Sequence, residues 1–148
     1  MHMHHQTAAL PCACTSLRKA ARAISRVYDA ELAAAGMTAA QLAILRAIDR
    51  AGSPPLAALA TTLVMDRTSL YRALAPLQRA GWVSLADAPR GRARLASLTA
   101  EGARALREAA PYWEAAQRRV LEAFGPVRWR DLHAGLAALT AVGIEAAP

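Results

Sequence analysis

The amino-acid sequence predicts a mainly α-helical single domain that carries one small β-hairpin. Apolar residues recur every three or four positions through most of the 148 residues, and two short runs with alternating apolar residues follow Gly81. The chain is 55% hydrophobic and 20% charged, which allows a buried core and excludes intrinsic disorder outside the ends. Its length fits one compact domain, so residues 1–148 are predicted to form a single unit.

Two helices are predicted before residue 52. Residues 1–14 are predicted to be a partly flexible N-terminus, and a helical pattern then runs from Thr15 to Gly36, a residue type that commonly ends helices. Thr38 and Gln41 have the spacing of a capping box, and the helix that follows them ends at Gly52, ahead of two prolines. The apolar face of the first helix contains Leu17, Ala21, Ile24, Tyr28 and Leu32.

The next two helices are short and are joined by only two residues. The first spans Leu56–Leu63, and Asp66 is the predicted N-cap of the second, which ends at Gly81. A pair of helices linked across Val64 and Met65 predicts a helix-turn-helix. The second helix is predicted to direct Leu70, Leu74 and Leu77 into the core.

A β-hairpin with a basic tip follows. Trp82–Ala86 and Ala93–Leu98 are the predicted strands, and Asp87–Arg92 is the turn. The turn is longer and more cationic than a structural hairpin needs, although exposed hairpins are also charged for solubility. Because it comes directly after a helix-turn-helix, we favour a winged helix-turn-helix lobe at residues 38–98.

Two long helices complete the chain. Thr99 is the predicted N-cap of the first, and Gly125 separates it from the last. Residues 15–35 and 99–146 are amphipathic, and the rest of this small chain offers them little surface to pack against. They form either an intramolecular bundle or, as we favour, the dimerisation region of a homodimer. Their apolar positions after residue 99 are Leu106, Ala110, Trp113, Val120, Phe124, Trp129, Leu132, Leu136 and Leu139.

The charge of the chain is basic and concentrated. Eighteen Lys and Arg residues against 11 Asp and Glu residues give a formal net charge of +7, and every cation except Lys19 is an arginine. Between Asp66 and Arg107 there are eight arginines and three acids, so this segment holds most of the excess. A high arginine content can reflect a GC-rich genome, but its clustering indicates a polyanionic partner such as double-stranded DNA.

The helix that begins at Arg67 is predicted to enter a DNA major groove. Arg72 faces outward and can donate a bidentate pair of hydrogen bonds to guanine. Pro76 removes one helical hydrogen bond, so either the helix bends there or its register differs from the prediction. In the turn, Arg90 and Arg92 can enter the minor groove. The predicted DNA contacts are Arg67, Thr68, Ser69, Arg72, Pro76, Arg79, Arg90 and Arg92.

Three motifs in this order resemble the signature of the MarR family of bacterial transcriptional regulators. They are Asp66–Val83, with its Asp-Arg start, internal proline and Gly-Trp-Val end, then Asp87–Arg92, then Leu98–Gly102 with the sequence Leu-Thr-Ala-Glu-Gly. The similarity extends from Leu17 to about Leu139. It implies a homodimeric winged helix-turn-helix repressor with an effector site between the dimerisation region and the DNA-binding lobe.

Two cysteines, Cys12 and Cys14, open the first helix. A helix N-terminus stabilises a thiolate, so Cys14, one turn before Arg18, is expected to have a lowered pKa and to react with peroxide. The organic-hydroperoxide sensors of the MarR family are similar in having a reactive cysteine at the position of Cys14 and a tyrosine at that of Tyr28, whereas Ala39 replaces a second tyrosine. The alternative is that both cysteines are small buried residues. A disulfide is expected to join protomers, because a Cys-x-Cys ring is strained.

A small-molecule effector is the alternative to thiol oxidation. An aromatic carboxylate or another small anion is predicted to bind near Arg22, Tyr28 and Arg46. A third hypothesis is a protein-interaction adaptor that keeps the winged helix without binding DNA.

Several function classes lack their motifs. The chain has no glycine-rich phosphate loop, metalloprotease motif or nucleophile elbow, so no enzyme activity, catalytic residue or cofactor is predicted. His2, His4 and His5 could bind a transition metal, but we favour a loose end or an added segment and predict no metal site. Without a signal region or a membrane-length apolar run, the expected location is cytoplasmic.

Overall fold

The structure, a computed structural model, describes residues 9–148, and its elements follow the predicted order. The mainly α-helical class with one antiparallel hairpin is confirmed. The early histidines lie outside the described residues. The elements are α1 (Ala13–Leu32) with a 3-10 extension (Ala33–Ala35), α2 (Ala39–Ala51), α3 (Leu56–Leu63), α4 (Arg67–Arg79), β1 (Val83–Asp87), β2 (Arg94–Leu98), α5 (Ala100–Phe124) and α6 (Pro126–Ala146).

Local side-chain caps determine where the helices begin. The capping box of Thr38 and Gln41 is formed in both directions, and the predicted N-caps Asp66 and Thr99 accept from the backbone N–H three residues on. Asp29 of α1 also accepts from the N–H of Ala39 at 2.7 Å, which ties α1 to the start of α2.

The helix-turn-helix connection contains a residue in the left-handed conformation. Val64 ends α3 at φ 54°, and the next N–H, that of Met65, donates to the carbonyl of Ala60 at 2.9 Å. A β-branched residue is rarely found in this conformation. The turn therefore fixes the direction of α4 through backbone hydrogen bonds rather than through a glycine.

The core is centred in the winged helix-turn-helix lobe and also includes residues of α1 and α5. Leu70, Leu74 and Leu77 are buried there as predicted. They pack with Leu32, Met37, Leu42, Ile44, Leu45, Ile48, Leu56, Leu59 and Val83.

The fully buried positions of α5 are occupied by small residues. The large residues Leu106 and Trp113 are only half-buried, and the buried positions are Gly102, Ala105, Ala109 and Ala116. Small side chains let α5 lie close to the rest of the fold, so the large ones are placed at the edges of the contact.

Gly102 marks the closest approach of α5 to the hairpin. A Cβ atom built on it would lie 2.0 Å from the carbonyl oxygen of Trp82. The N–H of Thr99 donates to that same carbonyl at 3.0 Å, and the Thr99 hydroxyl donates to the carbonyl of Gly81. The Leu-Thr-x-x-Gly motif thus joins the end of the hairpin to the first turn of α5.

The hairpin is held on both edges of β2. Val83 pairs with Leu98 and Asp87 with Arg94 across the two strands. On the other edge, the N–H of Ala96 donates to the carbonyl of Pro54 at 2.9 Å. The segment before α3 therefore anchors the hairpin, called the wing below, to the helix-turn-helix.

The two ends of the chain expose apolar surface. Residues 13–26 of α1 are exposed, and within residues 126–146 no side chain is buried by the rest of the described chain. Exposed large apolar side chains in α1 and α6 are Leu17, Ile24, Val127, Leu132, Leu139, Val142 and Ile144. Across residues 9–148, no single helix is both long and apolar enough to cross a membrane.

Candidate nucleic-acid interface

The N-terminal turn of α4 is organised by Asp66. Its carboxylate accepts from the backbone N–H and from the hydroxyl of Ser69, both at 2.8 Å. These two hydrogen bonds lower the pKa of Asp66, so the cap stays ionised at neutral pH. The Ser69 hydroxyl donates within the cap, and it can meet a DNA group only as an acceptor.

The outer face of α4 exposes most of the predicted contacts. Arg67, Thr68, Arg72 and Arg79 are exposed, whereas Pro76 is half-buried. The helix continues through Pro76, and the N–H of Ala80 donates to its carbonyl at 3.0 Å. The register of the helix is therefore the predicted one, and Pro76 is less accessible than the arginines around it.

The wing has arginines both in its turn and at the start of its second strand. Arg90 and Arg92 are both exposed, on either side of Gly91 at φ 83°. Arg94, which was not among the predicted contacts, begins β2 and lies 3.7 Å from the Asp87 carboxylate.

A cleft between α3, α4 and the wing brings three arginines together. The cleft, called the arginine cleft below, has a volume of about 190 Å³ and is lined by Arg67, Tyr71, Arg92 and Arg94, with Pro55, Leu56, Ala57 and Ala93. Sequence reasoning missed Tyr71 and Arg94. Tyr71 lies one helical turn after Arg67, and this spacing is the signal that could have identified it.

A second cavity lies between α1, α2, α3 and α5. It has a volume of about 620 Å³ and is lined by Tyr28 and Arg46, with Trp113 of α5 on one side; Arg22 is not among its lining residues, so the predicted anion site is only partly assembled within one chain. We call it the effector cavity. Its other lining residues are Ala39, Leu42, Ala43, Ala47, Arg50, Ala51, Thr62 and Leu63.

The polar groups of the effector cavity are partly desolvated. The Arg46 guanidinium lies 4.0 Å from the centroid of the Trp113 ring, and among residues 9–148 no carboxylate pairs with it. Burial, and then the charge of Arg50, lowers the pKa of Arg46. Burial raises the pKa of Tyr28, whose hydroxyl donates to Gln117 of α5. The cavity therefore combines an aromatic wall with an unpaired cation.

Comparisons with known proteins agree with this geometry. A sequence profile of the MarR family matches residues 35–94. The transcriptional regulator MosR of M. tuberculosis, solved in complex with DNA, is 32% identical, with 88% of this chain and 98% of that chain covered and a TM-score of 0.75. The chain belongs to the MarR family.

Two more distant structures share the winged helix fold of this MarR family protein. A mutant of MarR from E. coli complexed with operator DNA is 21% identical, with 84% of this chain and 91% of that chain covered and a TM-score of 0.77. The transcriptional repressor CouR, bound to a 23-mer DNA duplex, is 22% identical, with 87% and 92% covered and a TM-score of 0.79. No curated protein matches the chain.

One of the two cysteines of this MarR family protein caps the first helix. Cys12, not Cys14, is the N-cap of α1, and its Sγ accepts from the backbone N–H of Thr15 at 3.5 Å. Hydrogen bonds from Thr15, from its side chain and then its backbone, lower the pKa of Cys12. Both thiols are exposed within this chain, so the alternative that both are buried does not hold for one protomer.

Proposed function

We propose that this MarR family protein is a homodimeric repressor that binds double-stranded DNA sequence-specifically. The observation that carries the proposal is the juxtaposition of the exposed face of α4 with the arginines of the wing at one cleft. MosR and the E. coli MarR mutant were solved with DNA, and CouR is described as a repressor bound to a DNA duplex, which supports the same partner here. As a DNA-bound regulator it would act in the cytoplasm, without enzymatic activity.

The dimer accounts for the apolar surface at the two ends of the chain. The exposed apolar residues of α1 and α6 would be buried against the same elements of a second copy. Two α4 helices would then enter successive major grooves of a pseudo-palindrome whose half-sites are about 10 bp apart. Arg72 would contact a base edge in each half-site, and Arg90 would contact the adjacent minor groove.

The first proposed means of regulating DNA binding is a small anionic, aromatic effector in the effector cavity. Arg46 would pair with the carboxylate of such a ligand, because it lacks a carboxylate partner among the described residues and stacks on Trp113. The cavity touches α1 and α5 as well as α2 and α3, so a ligand there can change how the lobe sits on the dimerisation region. A coupling free energy of about 1–3 kcal/mol suffices for regulation.

The second proposed means of regulating DNA binding is oxidation of Cys12. Its thiolate attacks the terminal oxygen of an organic hydroperoxide and the O–O bond breaks, which leaves a sulfenic acid on Cys12 and releases the alcohol after proton uptake. A second thiol then displaces the sulfenic oxygen as water and forms a disulfide. That thiol would be supplied by the other protomer, since a Cys-x-Cys ring is strained.

Fluorescence anisotropy tests DNA binding. A duplex that wild-type protein selects from a random pool is titrated at two salt concentrations with wild type, Arg72→Ala and Arg104→Ala. Arg104 is the matched control, because its guanidinium already pairs with Glu101 and Glu108 on α5. We expect Arg72→Ala to weaken binding about tenfold or more and to relax specificity at one base pair, and the control to bind as wild type. Absence of salt-sensitive binding by the wild type would favour the adaptor hypothesis.

The two means of regulation are separated with benzoate and cumene hydroperoxide as probes. Release of DNA by benzoate that is lost in Arg46→Ala identifies the effector cavity as the regulatory site. Release by hydroperoxide that is reversed by thiol and lost in Cys12→Ser identifies oxidation instead. Release in both variants as in the wild type would overturn both assignments.

A further inference from the structure

The arginine cleft has the composition of an anion site. It is formed where α3 begins, where α4 begins and where the wing returns to the fold, so its guanidiniums come from separate elements. Arg67 belongs to α4, Arg92 to the tip of the wing and Arg94 to β2. Three cations held around one concavity are unfavourable unless an anion or solvent neutralises them.

Two neutral features of the cleft also favour an anion. The phenol of Tyr71 lines it and supplies an O–H donor, with 41% of the residue exposed. Leu56 and Ala57, the first residues of α3, line it as well, and no side chain in the described part of the chain caps that helix. Free N–H groups of a first helical turn add to the positive potential of the guanidiniums.

The size of the cleft limits what can occupy it. Ligand cavities for drug-sized molecules are about 300–1,000 Å³, whereas this cleft measures about 190 Å³. A single tetrahedral phosphate group fits, and the volume is below the range for drug-sized ligands.

We propose that the arginine cleft binds one backbone phosphate of the DNA, with Arg67, Arg92 and Arg94 as cationic donors and Tyr71 as a neutral donor. The inference rests on the proposed function and adds a positioning site to it. It assigns Arg67 and Arg92 to the phosphate backbone, which leaves Arg72 and Arg90 for the base edges and the minor groove. Such a contact sets the register of the wing on the duplex and carries no sequence information of its own.

Asp87 regulates the same cleft. Its carboxylate lies 3.7 Å from the Arg94 guanidinium, and the two side chains are 88% and 45% exposed. An exposed pair of this kind is weak, so a phosphate can replace the carboxylate as the partner of Arg94. Asp87 would therefore lower the affinity of the protein for DNA in general.

The test measures DNA affinity by anisotropy as a function of salt. The probes are the duplex selected by wild-type protein and an unrelated duplex, and the variants are Arg94→Ala and Tyr71→Phe, with Arg104→Ala as the charge-matched control. We expect Arg94→Ala to weaken binding to both duplexes about tenfold and to reduce the salt slope by about 0.9. Tyr71→Phe should weaken binding about threefold with an unchanged slope, because no charge is lost.

A methylphosphonate scan of the selected duplex then locates the phosphate. One neutral substitution per half-site should weaken wild-type binding and leave Arg94→Ala unaffected. Asp87→Asn should strengthen wild-type binding severalfold, with a smaller gain in the Arg94→Ala background.

Four results would overturn the inference. Wild-type affinity and salt slope in Arg94→Ala would exclude the phosphate contact, as would an equal loss in Arg104→Ala. The cleft would be assigned to a free phosphate compound if two results occurred together. Arg94→Ala would bind DNA as the wild type does, and inorganic phosphate would raise the melting temperature of the wild type but not that of Arg94→Ala. A wild type that binds no duplex overturns the proposed function as well, which distinguishes the two failures.

Discussion

Gly102 is the glycine at which an added Cβ would meet the shortest contact. A Cβ there would lie 2.0 Å from the carbonyl oxygen of Trp82, and backbone cannot move aside as a side chain can. We expect Gly102→Ala to lower the free energy of unfolding by about 3 kcal/mol, although alanine is the better helix former. Urea denaturation followed by circular dichroism measures the change.

Gln78→Ala is the control for Gly102→Ala. Gln78 lies on α4, outside the elements assigned to the dimer, and its side chain is exposed. This variant should be as stable as wild type or slightly more stable. Equal stability of the two variants would contradict the close approach of α5 to Trp82.

The thiol of Cys12 provides a second prediction at the scale of single residues. Because Thr15 lowers the pKa of Cys12, the thiolate is present at a lower pH than in an ordinary cysteine. In the Cys14→Ser variant, alkylation by iodoacetamide should reach half its maximum rate at a lower pH than in an unstructured cysteine peptide. Adding Thr15→Val, which keeps the shape of the side chain, removes the hydroxyl donor and should move this midpoint upward. A midpoint that does not respond would contradict the role of the hydroxyl in lowering the pKa.

At the scale of the element, the turns that end α3 and α4 each contain a residue with a positive φ, one a valine and the other a glycine. Substituting each residue by the other type should change stability in opposite directions. Val64 adopts φ 54° with 59% of its surface exposed, and Gly81 adopts φ 77°. The left-handed conformation costs a residue with a Cβ about 1–2 kcal/mol, and glycine loses about 0.5–1 kcal/mol more entropy on folding.

We therefore expect Val64→Gly to stabilise the protein by up to about 1 kcal/mol and Gly81→Val to destabilise it by about 1–2 kcal/mol. Chemical denaturation of both variants provides the measurement. Shifts in the same direction would show that the valine at the turn is held by contacts rather than tolerated against strain.

The elements themselves were largely predictable, whereas the fully buried positions of α5 were not. Thr38, Asp66 and Thr99 cap helices as their sequence context predicts, since a cap involves residues only three positions apart. On α5, periodicity marks the large apolar residues Leu106 and Trp113, which are half-buried against the core. The distance between packed helices selected Ala105 and Ala109 for the fully buried contact.

At the scale of the whole molecule, a substitution on the exposed apolar face of α6 provides a test of the proposed dimer. Leu132 and Leu139 are 44% and 41% exposed in one chain, although both are large and apolar. Leu132→Glu should weaken the dimer about a hundredfold or more, because the interface would bury an unpaired charge. Sedimentation equilibrium measures this, and DNA affinity should fall with it.

Ala100→Glu is the control for that experiment. It adds the same charge at an exposed position at the start of α5, where an acidic residue favours the helix. It should remain dimeric. A monomeric wild type, or a dimer that persists in Leu132→Glu, would contradict the proposed interface.

The sequence by itself determined the order of the elements, their caps and the MarR family signature. Those properties depend on interactions between residues within about one helical turn, and on spacings that can be counted along the chain. Only the tertiary structure decided which side chains meet. It brought Tyr71 and Arg94 to one cleft, left Arg22 off the effector cavity, and placed Cys12 rather than Cys14 at the N-cap. The physical reason is that convergence depends on how loops and helices pack across long sequence separations, and no local pattern encodes that packing.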